Sequence, residues 1–150
     1  MNNSIFNASM VLWKKKLYNN ISKDFLKYKF CGDWLFWVGL ARHGSLHASG
    51  KTLNYFRKHK NDISGNATKN GLELVETIAV LNSMYEEKLI NDQEFNKGLK
   101  RLFKKYWTQK AELNVKLRRE LKKAFQNPAS SAFNYNRMIL SVIWHDIVHK

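Results

Sequence analysis

The chain has 150 residues with 26 Lys or Arg against 12 Asp or Glu, a formal net charge of +14, with 44% hydrophobic and 13% aromatic content. That apolar fraction argues against disorder and predicts a single helical domain over 1–150. The lone Cys31 excludes an internal disulfide and, with an amino terminus unlike a secretory signal, points to the cytoplasm; no apolar run reaches the roughly 20 residues of a membrane span.

Residues 4–29 carry Phe6, Met10, Trp13, Leu17, Ile21 and Phe25 in steps of three or four, which predicts one long amphipathic helix with a small basic cluster at Lys14–Lys16. Cys31 and Gly32 break it, and Asp33 is placed to cap a short helix over 34–42. Trp34, Leu35, Phe36, Trp37, Val38 and Leu40 cover nearly its whole circumference, which predicts burial, and Gly44 ends it. A further helical turn or two over 51–60 places Arg57 and Lys58 beside Leu53, Tyr55 and Phe56 as a second, weaker basic site. Residues 61–71 collect Asn, Asp, Ser, Gly and Thr, the composition of a solvated, mobile connection.

Residues 72–88 form the only acidic helix, with Glu73, Glu76, Glu86 and Glu87, and either face away from an anionic ligand or brace the basic helices. Asn91 or Asp92 caps the next helix, with Glu94 in its first turn. From Lys97 to Lys123 eleven Lys or Arg stand against only Glu112 and Glu120. Phe95, Leu99, Leu102, Phe103 and Tyr106, then Leu113, Leu117, Leu121 and Ala124, recur at three- and four-residue steps, so two amphipathic helices are predicted with a break near 108–111. Lys97, Lys100, Arg101 and Lys104, followed by Lys105, oppose the first apolar face. Lys116, Arg119 and Lys123, flanked by Arg118 and Lys122, repeat the design. Pro128 marks a loop, and the last helix, 135–149, is apolar almost all round, which predicts either a central helix or one completed by a partner. With no sustained period-two alternation, the fold class is all-α, a compact helical bundle of five to seven helices.

The residues from Leu113 onward, LNVKLRRELKKAFQNPASSAFNYNRMILSVIWHD, resemble the carboxy-terminal half of the small subunit of Cascade, the type I-E CRISPR surveillance complex. The likeness lies in the helix bearing Leu117, Arg118 and Arg119, a short loop, and an aromatic residue opening an apolar helix, Tyr135 to Trp144, before His145 and Asp146. It covers roughly a quarter of the chain, and 53–58 stand where that family tends to carry an arginine-rich helix. The resemblance implies a non-catalytic helical subunit that associates with its own kind and with other subunits, holding guide RNA, target or displaced DNA. It makes Arg118 and Arg119 strand contacts, and Tyr135 and Trp144 structural members of the motif. In such complexes base pairing reads sequence while protein holds backbone.

Charge alone predicts sequence-tolerant binding of single-stranded nucleic acid, because cations release counterions from phosphates. Tyr55, Phe56, Tyr106 and Trp107, beside cations, are either base-stacking surfaces or core. A basic amphipathic helix also suits acidic lipid, but the core-like apolar faces argue against a membrane partner. Catalysis has one candidate, Arg42 with His47, at the Arg-x4-His spacing of helical HEPN ribonucleases, interrupted by Gly44 and Ser45. His43 with His47, and His145 with His149, are spaced for a metal, but no carboxylate or second Cys accompanies either pair at a standard spacing, so neither a metal nor a cofactor is expected. The remaining alternative is a basic adaptor for an acidic protein, with Trp144 and Val148 at the interface.

Overall fold

The computed structural model describes residues 5, 8–53, 55, 71–126, 128–129 and 133–148, with side chains in the last helix described as far as Trp144. The fold is all-α: α1 (Gly32–Ala41), α2 (Leu72–Glu86), α3 (Asp92–Gln109), α4 (Val115–Gln126) and α5 (Tyr135–Val148), with no strand among the described residues. These residues cluster in two compact units, one made by those up to 55 and one by those from 71 on. The segment 56–70, which includes Arg57, Lys58 and most of the predicted mobile connection, lies outside the described residues.

In the first unit the predicted long helix is replaced by three short 3-10 turns, Ala8–Met10, Lys15–Asn20 and Asp24–Lys27. Lys14 and Ile21, flanking the middle turn, are extended, so the helical period cannot propagate. Polar side chains supply local alternatives to helical bonding: Ser22 Oγ accepts from the Asp24 amide at 3.1 Å, and Lys23 Nζ donates to the Tyr18 carbonyl. Broken in this way, the segment wraps its aromatic residues about α1. Phe36 meets Trp13 edge-on at 5.2 Å and Phe25 at 5.1 Å, over a small core of Ile21, Trp37 and Leu40. In α1 only Gly32, Trp37 and Leu40 are buried, and Asp33 lies within the first turn while Cys31 occupies the cap position.

The second unit follows the predicted pattern more closely. α3 packs on α2 and α4, α4 also packs on α2, and α5 rests on α3. Phe95, Leu99 and Phe103 of α3 are fully buried, as are Leu121 and Phe125 of α4 and Leu74, Ile78 and Leu81 of α2. The close approach of α2 to α3 depends on Gly98, where a Cβ would stand 3.1 Å from both Leu81 methyl carbons. Gly71 precedes α2 at φ +66°, and a Cβ there would fall 2.7 Å from methyl carbons of Leu113 and Leu117. Gly71→Ala is therefore expected to lower the unfolding free energy by about 2 kcal/mol, from the left-handed backbone together with the clash, as a reduced midpoint in urea.

Each of the last three helices is started by an asparagine. Asn91 accepts from the Glu94 amide at 2.9 Å while its own amide donates to Glu94 Oε2 at 3.1 Å, a complete capping box. Asn114 and Asn134 accept from the amides of Leu117 and Arg137. Asn91→Ala is expected to cost about 1 kcal/mol, a loss that urea melts followed by circular dichroism would detect.

Candidate nucleic-acid interface

An amphipathic helix buried on one side must present its polar side to solvent, and α3 and α4 both do so with cations. On α3, Lys97, Lys100, Arg101 and Lys104 are exposed, opposite buried Phe95, Leu99, Phe103 and Tyr106. On α4, Lys116, Arg118, Arg119, Lys122 and Lys123 are exposed, opposite buried Leu117, Leu121 and Phe125. Lys97, Lys100, Lys104, Arg118, Arg119 and Lys122 make no ion pair with another described residue. Arg101 and Lys123 have interactions of their own.

Lys105 stands apart from its neighbours. It is half-buried and held by both carboxylate oxygens of Glu73 on α2, each at 2.9 Å. Its charge is largely met inside the fold, which makes it a brace between α2 and α3 rather than a ligand-facing cation. The acidic helix thus braces the basic one through Glu73.

The aromatic residues beside these cations are mostly structural. Tyr106 is 7% exposed and packs on Phe125 at 5.5 Å. Trp107 is half-buried, stacked near Phe103 at 6.0 Å, with Lys110 Nζ 3.0 Å from its ring centroid. Neither offers a free face for a base. Tyr55 is 88% exposed, and Phe56 lies outside the described residues.

Burial pushes the phenols of Tyr106 and Tyr135 above their ordinary range, with Arg118 acting against the shift at Tyr106 and Tyr106 adding to it at Tyr135. The folded chain therefore holds these protons more tightly than the unfolded chain. Their stabilising contribution is complete below about pH 10 and is lost as pH rises through the raised values. Urea midpoints measured from about pH 9 to 11 are expected to fall less steeply in Tyr106→Phe than in the unaltered chain.

The last helix is peripheral. Met138 and Val142 are buried and Tyr135 meets Phe103 edge-on at 5.7 Å, whereas Leu140 and Trp144 are 67% and 70% exposed. Within the second unit, the described side chains of α5 leave one side of the helix exposed. Tyr135 packs on the core, whereas the Trp144 ring contributes little to it.

Arg42 is the C-terminal cap residue of α1, in a turn, and His47 follows in non-helical chain, both exposed. The two do not share a helix, and neither do His43 and His47, which are also exposed. The side chain of His145 and all of His149 lie outside the described residues. No cluster of three or more metal-ligating side chains occurs among the described residues, and none of the helices is long and apolar enough to cross a membrane. The chain matches no family model, no curated protein and no solved structure.

Proposed function

We propose that the chain is a non-catalytic, sequence-tolerant nucleic-acid-binding subunit that holds the phosphates of a single strand on the outer faces of α3 and α4. The observation that carries this reading is the exposure of a row of cations on each of two helices whose opposite faces are buried. Like charges so concentrated repel one another, and an anionic partner relieves that repulsion. Phosphates are the natural partner because each contact also releases counterions.

The finer reading is a cytoplasmic small subunit of an RNA-guided CRISPR effector complex, contacting guide RNA, target or displaced DNA and neighbouring subunits, and able to associate with itself. It rests on the resemblance of 113–146, and the exposure of Arg118 and Arg119 on α4 suits the strand contacts that resemblance implies. A second reading, a basic adaptor for an acidic protein, draws on the exposed Leu140 and Trp144 of α5.

Fluorescence anisotropy with labelled single-stranded RNA, single-stranded DNA and duplex across a salt series tests these readings, each sample being rerun on a denaturing gel. The expected result is uncut strand and a log-log salt slope of about −0.7 for each phosphate engaged on single strands. Absence of binding at low salt by folded protein would overturn the nucleic-acid reading in favour of the adaptor. Cleaved RNA, lost on His47→Ala, would replace it with a ribonuclease.

A further inference from the structure

The first unit holds an open cleft of about 810 Å³ between residues 11–20 and the end of α1 with the residues that follow it. That volume falls within the roughly 300–1,000 Å³ usual for small-molecule sites. Its walls are mainly aliphatic, from Val11, Leu12, Leu17, Leu40 and Leu46, with Trp13 beside them. Leu12 is fully exposed, Leu46 is 81% exposed and Trp13 41%. Three large apolar side chains left in water around one concavity form a patch, which marks a binding surface more often than scattered single exposures do.

The charged part of the lining has one sign, and Asn20, His43 and Ser45 complete its polar part. Lys14 and Lys16, the small basic cluster of the sequence, both line the cleft and are exposed, and no carboxylate lines it among the described residues. Neither lysine makes an ion pair with another described residue. An occupant that satisfies both parts needs an apolar body and an anionic end.

We propose that this cleft binds a free, monomeric anionic amphiphile, with an aliphatic chain against the leucines and one carboxylate, sulfate or phosphate head at Lys14 and Lys16. The walls favour a flexible chain over a nucleobase. A base stacks on an open aromatic face; of the two rings that line the cleft, Trp37 is buried and Trp13 packs against both Phe36 and Tyr18, while Val11, Leu12, Leu17, Leu40 and Leu46 offer only aliphatic surface. The site is independent of the nucleic-acid reading, which concerns the helices of the other unit.

The test is isothermal titration of the full chain with dodecanoate below its micelle concentration, alongside dodecanol. Saturable one-site binding of dodecanoate is expected, weakened about tenfold or more by Leu46→Asp, at a side chain exposed enough to change without disturbing the fold. Lys14→Glu with Lys16→Glu should weaken dodecanoate about tenfold and dodecanol less than about twofold. Circular dichroism of every variant should match that of the unaltered chain. Three results would overturn the proposal: no saturable binding, equal weakening of both ligands by the lysine changes, or binding to anionic phospholipid vesicles without binding of monomeric dodecanoate. A single-stranded oligonucleotide whose affinity falls with Leu46→Asp would also overturn it, assigning the cleft to nucleic acid.

Discussion

Replacing Lys97, Lys100 and Lys104 together by glutamate is expected to weaken single-strand binding about 100-fold at ~0.1 M salt and to reduce the log-log salt slope by about 2. The three side chains lie at helical spacing on the exposed side of α3. Each phosphate contact on a single strand contributes about 0.7 to the slope, so losing three removes about two powers of ten at that salt concentration. Arg101 is left in place because it has an interaction of its own. Helical circular dichroism should persist, since glutamate and lysine have similar helix propensity and the capping box at Asn91 and Glu94 is untouched. Unchanged affinity and slope in a folded variant would remove α3 from the interface. The corresponding reversal of Arg118, Arg119 and Lys122 then tests α4 alone.

What the chain reveals before folding is what local physics decides. α3 and α4 are legible because their apolar and cationic residues alternate at the helical period, with Asn91 before the first turn of α3; the observed break at 110–114 falls almost where composition places it. Residues 8–29 show the same apolar spacing and yet make no α-helix. Periodicity records only that Trp13, Leu17, Ile21 and Phe25 can share a face. It does not weigh Ser22, whose hydroxyl takes the Asp24 amide, nor the gain from bringing Trp13 and Phe25 around Phe36.

Two features of the candidate interface were likewise beyond reach. Lys105 reads as one more cation in a basic run, and what removes it is Glu73, 32 residues earlier in the chain, met only when α2 packs on α3. Helix α5 is apolar almost all round, with Asn136, Arg137 and Ser141 the polar residues before Trp144, so no broad apolar stripe says which side is covered. Packing buries Met138 and Val142 and leaves Leu140 and Trp144 outside. In both cases the missing information is tertiary, and the residue types alone fit either outcome.

Phe103→Ala is expected to have the largest effect on stability, about 3–5 kcal/mol, against a total of about 5–15 kcal/mol for a domain of ordinary size. The ring is fully buried and joins three helices: Phe125 of α4 meets it edge-on at 5.1 Å, Tyr135 of α5 at 5.7 Å, and Tyr106 and Trp107 lie beside it on α3 at 6.0 Å. Alanine would leave a cavity that these large rings cannot close without shifting the helices that carry them. The peripheral α5 should suffer first, because Tyr135 depends on Phe103 and only Met138 and Val142 of the described α5 side chains are otherwise deeply buried. Urea unfolding followed by tryptophan fluorescence measures the overall loss, and amide hydrogen exchange should show protection falling earliest in 135–148. Phe103→Leu, which keeps most of the volume, should recover much of the difference. A loss below about 1 kcal/mol for alanine would mean that the rings reclose around the gap. Phe103 would then not be what holds α3, α4 and α5 together, and the positions of the two cationic rows would depend on the contacts of α2 instead.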